Sequence, residues 1–341
     1  MSYRGTFGVQ FLPHHPVWNR LTSTDFLRIA ETAAAGDLQC IWFSSRFLSR
    51  EPLTLMAAIA ARVPLSLGTM VHTPWGANPL QLASSLGTIA ELLPQNRELL
   101  FGLGSGVSQA RWVERPKPAR FVRETFEMSR RLLAGDEVPF SEYPLVTDYF
   151  HLKGSGQLVV QFSHPERVSF WFAPQGPLGN KLAAEVTDGI FVEAGTRLGL
   201  RALRDGTLER DIQEIEQLRT QAGITRPLRR IMALCMSLSR DSSAAFNRAR
   251  MHAVEAASRL AFAGARDAEL TDEALTEMFL VGTPDEVAEQ LIECMQDAER
   301  FGCEHIALGV PTGPDPLEAV ELAGQVLVPL VKNRLGAKAL K

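Results

Sequence analysis

Apolar residues along this chain follow two alternating patterns. Short, nearly continuous apolar runs, as strands buried on both faces require, occupy positions 6–12, 38–43, 63–71, 98–103, 168–173, 189–193, 229–238 and 303–308. Between them apolar residues recur three and four apart, the stripe of a helix packed on one side. In 22–36 the stripe is Phe26, Ile29, Ala30 and Ala33, closed by Gly36. Asn78 and Pro79 read as an N-cap and first helical residue ahead of Leu82, Leu86, Ile89 and Leu93, and Pro94 stops the run. Phe121, Phe126 and Leu132 mark a helix over 118–133, a charged helix follows at 201–223, and 241–263 is helical and Ala-rich. The most complete helix pattern is 283–302, where Thr283, Pro284 and Glu286 form a capping box and Val287, Leu291, Met295 and Ala298 share one face. A last helix covers 316–330, and Lys332, Arg334, Lys338 and Lys341 beyond it read as a frayed basic end.

Strand and helix patterns in regular alternation predict an α/β protein, a closed parallel (β/α)8 or TIM barrel with right-handed crossovers. Length is compatible with one barrel domain over 1–341. Two stretches break the rhythm. Positions 135–165 carry scattered Pro, Gly, Tyr and Phe without a period and read as a loop-face insertion, either a wall of the substrate pocket or a short hairpin that only covers the barrel. Positions 264–281 form an Ala- and acid-rich excursion.

Composition narrows the function. A net charge of −4 with no basic stripe argues against nucleic acid as a partner, and no apolar run approaches a membrane span. The run at 55–61 is the kind an Ala-rich helix produces. Cys40, Cys235, Cys294 and Cys303 lie far apart in apolar periodic segments, which predicts reduced core thiols in a cytoplasmic protein and no metal ligation. No secretory apolar core follows Met1.

Barrels of this kind bind ligands at the C-terminal ends of their strands. That rule gathers His14, Arg46, His72, Trp75, the loop Gly104, Ser105 and Gly106, and Gln175 with Gly176. Each has two readings. The Gly104–Gly106 loop offers backbone N–H groups and a hydroxyl to phosphate or ribityl oxygens, or it is a tight turn that needs positive φ. Gly176 and Pro177 open a helix, with free N–H groups and the positive dipole end, or they make an ordinary turn. His72 suits general acid work or fills a core position; His14 is comparable, with His15 less inclined to point inward. Trp75 and Trp112 are candidate pocket walls, and Trp42 is either pocket or core.

Four segments in order carry a resemblance: LGTMVHTPWGANPLQLA, the strand end GLGSG, PQGPLGNKLAAEVTDGIFVE, and GTPDEVAEQL followed by FGCEHIALG. Together they resemble the bacterial luciferase-like family of flavin- and deazaflavin-dependent barrel oxidoreductases, and within it the members that use coenzyme F420. The resemblance implies hydride transfer between F420 and a small organic substrate. It implies a non-prolyl cis peptide and bulge at Met70 and Val71 backing the cofactor ring, with Thr73, Gly104, Ser105, Gly106, Gln175, Gly176, Pro177 and Leu178 around the cofactor; independently of the resemblance, Arg46, Trp75 and Trp112 are the candidates for the substrate pocket. Three departures stand out. Ser45 and Arg46 replace an acid and a histidine common after strand two. Gln10 and Val107 occupy places where methylenetetrahydromethanopterin reductases and sugar-phosphate dehydrogenases carry acids. Two other readings therefore stay open, an FMN-dependent monooxygenase and a non-catalytic ligand-binding barrel. Many relatives pair, which leaves a homodimer open as well.

Overall fold

The apolar runs fold as the strands of one parallel sheet in a computed structural model that describes residues 5–106, 109–158, 162–193, 200–257 and 270–339. The barrel strands are β1 (Thr6–Phe11), β2 (Cys40–Phe43), β3 (Ser66–His72), β4 (Leu99–Leu103), β5 (Val168–Phe172), β6 (Gly189–Glu193), β7 (Arg229–Leu238) and β8 (His305–Thr312). Neighbours run β7-β8-β1-β2-β3-β4-β5-β6, and a β6–β7 pairing closes the ring. The expected eight-stranded barrel is the fold observed. A ninth short strand, Leu280–Gly282, pairs with the outer side of β7.

Helices alternate with the strands: α1 (Ser23–Ala34), α2 (Pro52–Ala60), α3 (Pro79–Leu92), α4 (Pro118–Leu133), α5 (Gly176–Val186), α6 (Thr207–Gln221), α7 (Ser242–Ala257) and α8 (Pro284–Arg300). Their starts follow local chemistry. The Asn78 side chain accepts from the Gln81 amide, and reciprocal Thr–Glu and Thr–Asp boxes cap α8 and α1. The 201–223 pattern is not one helix. A 3-10 turn, Leu200–Leu203, precedes α6, because Gly206 at φ +77° breaks the run and the Asp205 carboxylate accepts from the Thr207 amide. No helix among the described residues is long and apolar enough to cross a membrane.

The chain divides into two compact units, one of residues 1–42, 191–213 and 229–341, the other of 43–190 and 214–228. In the first, Trp42 is core: its indole donates to His305 Nε2 at 3.0 Å, and His305 Nδ1 meets the Thr6 hydroxyl at 2.7 Å. Burial, aided by nearby Arg229, pushes the His305 imidazole down to about 3, so it is neutral and its Nδ1–H donates to Thr6. Gly8 makes room, since a Cβ there would stand 2.6 Å from both His305 Nε2 and the Cys40 carbonyl. The excursion is also core. Leu270, Leu275, Phe279 and Val281 pack with Ala245, Ala249 and Ala253 of α7; residues 264–269 lie outside the described residues. The chain is helical to Ala339, with Lys332 paired to Asp37 and Arg334 to Asp285; Lys341 lies outside the described residues. The four cysteines are free thiols and buried.

In the second unit the insertion holds an antiparallel ribbon, Val138–Pro139 with Ser155–Gly156, around a helix Pro144–Phe150. It is fastened to α4: the buried Glu124 carboxylate accepts from the Leu145 and Val146 amides. The Asp188-Gly189 pair before β6 has a physical reason for each residue. Asp188 accepts both guanidinium nitrogens of Arg130, a third from Arg226 and the Phe170 amide. A Cβ on Gly189 would stand 2.2 Å from the Trp171 ring. Replacing Asp188 by alanine takes the acceptor from the Phe170 amide and the carboxylate partner from two guanidinium groups, which keep the Val186 and Thr187 carbonyls. Asp188→Ala is expected to lower the unfolding free energy by about 2–4 kcal/mol, read from the shift in urea midpoint.

Candidate active site

The site grows from the end of β3. Its pairing with β4 shifts register between Thr69 and His72, and the Met70–Val71 peptide is cis. Thr69 anchors this bulge: its hydroxyl donates to the Gly102 carbonyl at 2.8 Å and accepts from the Gly102 amide at 3.0 Å. The Val71 carbonyl accepts from the Ser45 amide and the His72 carbonyl from the Gly104 amide. Gly104 has no alternative here, because a Cβ would fall 2.4 Å from Val71 Cγ2.

The next turn is wedged by side chains. A Cβ on Gly106, at φ +63°, would stand 2.6 Å from Thr73 Oγ1 and from Gln109 Oε1 and 2.7 Å from the Trp75 ring. The Ser105 carbonyl accepts twice, from Trp75 Nε1 at 2.9 Å and from the Arg115 guanidinium at 3.1 Å. Trp75 is therefore a buried prop for the loop, stacked on Phe121 of α4 with ring centres 4.3 Å apart. Val107 lies outside the described residues.

Beside the strand end lies a cleft of about 380 Å³ lined by Arg46, Phe47, Glu51, His72, Thr73 and Gln81, among others. It gathers Arg46, His72 and Thr73 from three separate sequence positions. His72 is buried, packed near Phe101; its Nδ1 meets the Thr73 carbonyl at 2.8 Å, and Nε2 faces a Glu51 carboxylate oxygen at 3.6 Å. A carbonyl only accepts, so Nδ1 carries a proton and Nε2 is the position that can exchange one. Glu51 is the residue the sequence did not reveal. It caps α2, accepting from the Leu53 and Thr54 amides and the Thr54 hydroxyl. Partial burial raises its pKa, but the facing His72 imidazole and the hydrogen bonds from those amides and that hydroxyl outweigh burial and hold the carboxyl at about 2. The Glu51-Pro52 pair, an N-cap ahead of a proline at the first helical position, was the available signal.

On β5's side, Gln175 is extended, Gly176 sits at φ +67° with no atom within 4 Å of a Cβ position, and Pro177 follows in the first turn of α5. The Gln175 side chain makes no cap, so the first helical N–H groups face outward beside an exposed Leu178. Trp112 is exposed, beneath Arg111 and 6.1 Å from the Phe47 ring.

In the other unit, His14 is partly exposed and His15 is the buried one, the reverse of the expected order. His15 Nε2 lies 3.2 Å from His252 Nδ1 and 3.6 Å from Glu255. These three have the donor set of a metal centre. The Arg248 guanidinium meets two of them, 3.1 Å from His15 Nε2 and 3.3 Å from Glu255.

A closed parallel barrel with polar groups gathered at the C-terminal ends of its strands has the architecture in which barrel enzymes place their sites. The chain belongs to the luciferase-like monooxygenase family, whose model matches residues 6–299. It is 24% identical to the 5,10-methylenetetrahydromethanopterin reductase of Archaeoglobus fulgidus, covering 96% of this chain and 99% of that one. Among solved structures it is similar to the coenzyme F420-dependent tetrahydromethanopterin reductase of Methanopyrus kandleri, with a TM-score of 0.72, 19% identity, and 96% and 99% of the two chains covered. It is also similar to the monooxygenase RslO1 of Streptomyces bottropensis, with a TM-score of 0.68, 21% identity, and 95% and 99% covered.

Glu51 gives the site a pH signature. A carboxylate held below its ordinary 4.5 stabilises the fold above that pH, and the contribution is lost as pH falls toward 2. The stability difference between wild type and Glu51→Gln is therefore expected to be largest near neutrality and to shrink below pH 4.5. Denaturant titrations at pH 6 and pH 3 check this; equal differences would remove the carboxylate's charge from the account.

Proposed function

We propose that the chain transfers a hydride between coenzyme F420 and a small polar organic substrate. The observation that carries this reading is the β3 end, where Val71 is seated over Gly104 at a distance only glycine allows. Membership of the family and the fold shared with an F420-dependent reductase support it. The residues fit such a group. Gly176 leaves open the space a side chain would fill, and the uncapped start of α5 presents N–H groups suited to a phosphate.

Met70 and Val71 would back the ring. Thr73, Gly104, Ser105 and Gly106 would line one flank, with Gln175, Gly176, Pro177 and Leu178 at the phosphate end. When bound, the deazaflavin supplies the carbon that carries the hydride. The chain's own groups do the rest. Arg46 and Thr73 orient a polar substrate in the cleft they share with His72. His72 is oriented through its Nδ1–H to the Thr73 carbonyl, which leaves Nε2, facing the Glu51 carboxylate at 3.6 Å, as the position for proton exchange. His14 is the second imidazole proposed for proton transfer. The free buried thiols fit a reducing, cytoplasmic setting.

Titration of the purified protein with F420 and with FMN tests the cofactor. Saturable F420 binding with no comparable FMN binding is the expected result, and the reverse preference would overturn the proposal. Gly176→Val forces a β-branched residue to positive φ and fills the open space, so the F420 Kd should rise at least about tenfold while the fold is kept. His72→Ala should slow single-turnover hydride transfer about tenfold or more, with cofactor affinity and Tm nearly unchanged. A wild-type rate across neutral pH would pass the proton-donor role to His14.

A further inference from the structure

We infer that Trp75 and Arg115 are positioning residues for the Gly104–Gly106 loop, and that the 135–165 insertion acts on the site through Trp75. The inference rests on the reading of that loop as a cofactor cradle. Two donors converge on the one Ser105 carbonyl, Trp75 Nε1 at 2.9 Å and Arg115 at 3.1 Å. A trans peptide is planar, so its carbonyl and the following N–H point in opposite directions. Pinning the Ser105 carbonyl toward Trp75 and Arg115 therefore turns the Gly106 N–H to the other side, and fixes it there. On the side where a Gly106 side chain would stand, Thr73, Trp75 and Gln109 fill the space together.

Gln109 marks the same loop as a place for a ligand. It is 1% exposed, and neither Oε1 nor Nε2 has a partner among the described residues. Buried carboxamides are almost always hydrogen-bonded, so a polar group beside this loop would find a donor and an acceptor in the Gln109 side chain.

The position of Trp75 is in turn set by the insertion. Its indole stacks on Phe121 and meets the Tyr149 ring edge-on at 5.7 Å; Tyr149 also packs edge-on against Phe121 at 5.1 Å. Tyr149 belongs to the insertion helix, which Glu124 ties to α4 through the Leu145 and Val146 amides. The path runs from Glu124 to Tyr149 to Trp75 to the Ser105 carbonyl, all within one compact unit. The insertion is a buttress under the cradle.

Hydrogen exchange by mass spectrometry, without cofactor, reads the loop directly, and F420 titration reads its use. Trp75→Phe keeps an aromatic ring against Phe121 and removes the N–H donor together with part of the indole's volume. The amides of Gly104 and Gln109, hydrogen-bonded to the His72 and Gly106 carbonyls, are expected to exchange about tenfold faster in it, F420 Kd to rise about tenfold, and Tm to stay within about 2 °C. Arg115→Met should act in the same direction, with Arg115→Lys restoring part of the loss. Tyr149→Ala should loosen the same two amides although it touches neither. Unchanged exchange in Trp75→Phe and Arg115→Met overturns the positioning role, and unchanged exchange in Tyr149→Ala alone overturns the buttress. If the wild type binds no F420 yet Trp75→Phe still loosens the loop, the cofactor reading fails and the positioning role stands.

Discussion

The site depends on a contact that only a missing side chain permits. Val71 Cγ2 occupies the space a Gly104 Cβ would take. With that approach available, β3 can leave the regular ladder between Thr69 and His72, and the Thr69 hydroxyl can bridge both backbone groups of Gly102 across the gap. The remaining pieces follow in sequence. His72 is carried to the cleft, the Gly104 amide closes on the His72 carbonyl, and the loop beyond is left for Trp75 and Arg115 to hold. One glycine thus fixes the relation between two strand ends, and the functional groups are hung from those ends.

Much of the fold was legible because barrel strands are buried on both faces and interrupt helical stripes cleanly. β6 and β7 begin and end where the apolar runs do. Strand ends defined by pairing were less legible: β8 continues to Thr312, past the apolar run, through a bulge that only its neighbour β7 reveals. The excursion before α8 looked featureless because its core contacts are made with Ala-rich α7 from a distance in sequence. Helical breaks at Gly206 and the paired tail lysine and arginine likewise depend on partners that periodicity does not name.

At the site, residue types announced themselves where the backbone demanded them. Glycines at 104, 106 and 176 meet close approach or positive φ, and each is a constraint visible in one residue. Side-chain roles were legible only in part. Trp75 was visible as an aromatic near the strand ends, yet its indole points at a carbonyl rather than into the cleft. Glu51 was hidden because a helix cap is a local role, and its second role facing His72 needs two segments brought together in space. His14 and His15 are adjacent, and alternation alone does not say which is drawn inward once the strand has ended at Phe11.

That the Arg248 guanidinium meets two of the group His15, His252 and Glu255 has a consequence for how that corner is built. A metal centre of the same donor set takes its positive charge from the medium, so its assembly varies with supply and it can be stripped by a chelator. Here the charge arrives tethered to the chain, at 3.1 Å and 3.3 Å from the two groups that need it. Folding delivers it at a fixed stoichiometry of one, so this part of the corner's charge balance is settled when the chain folds.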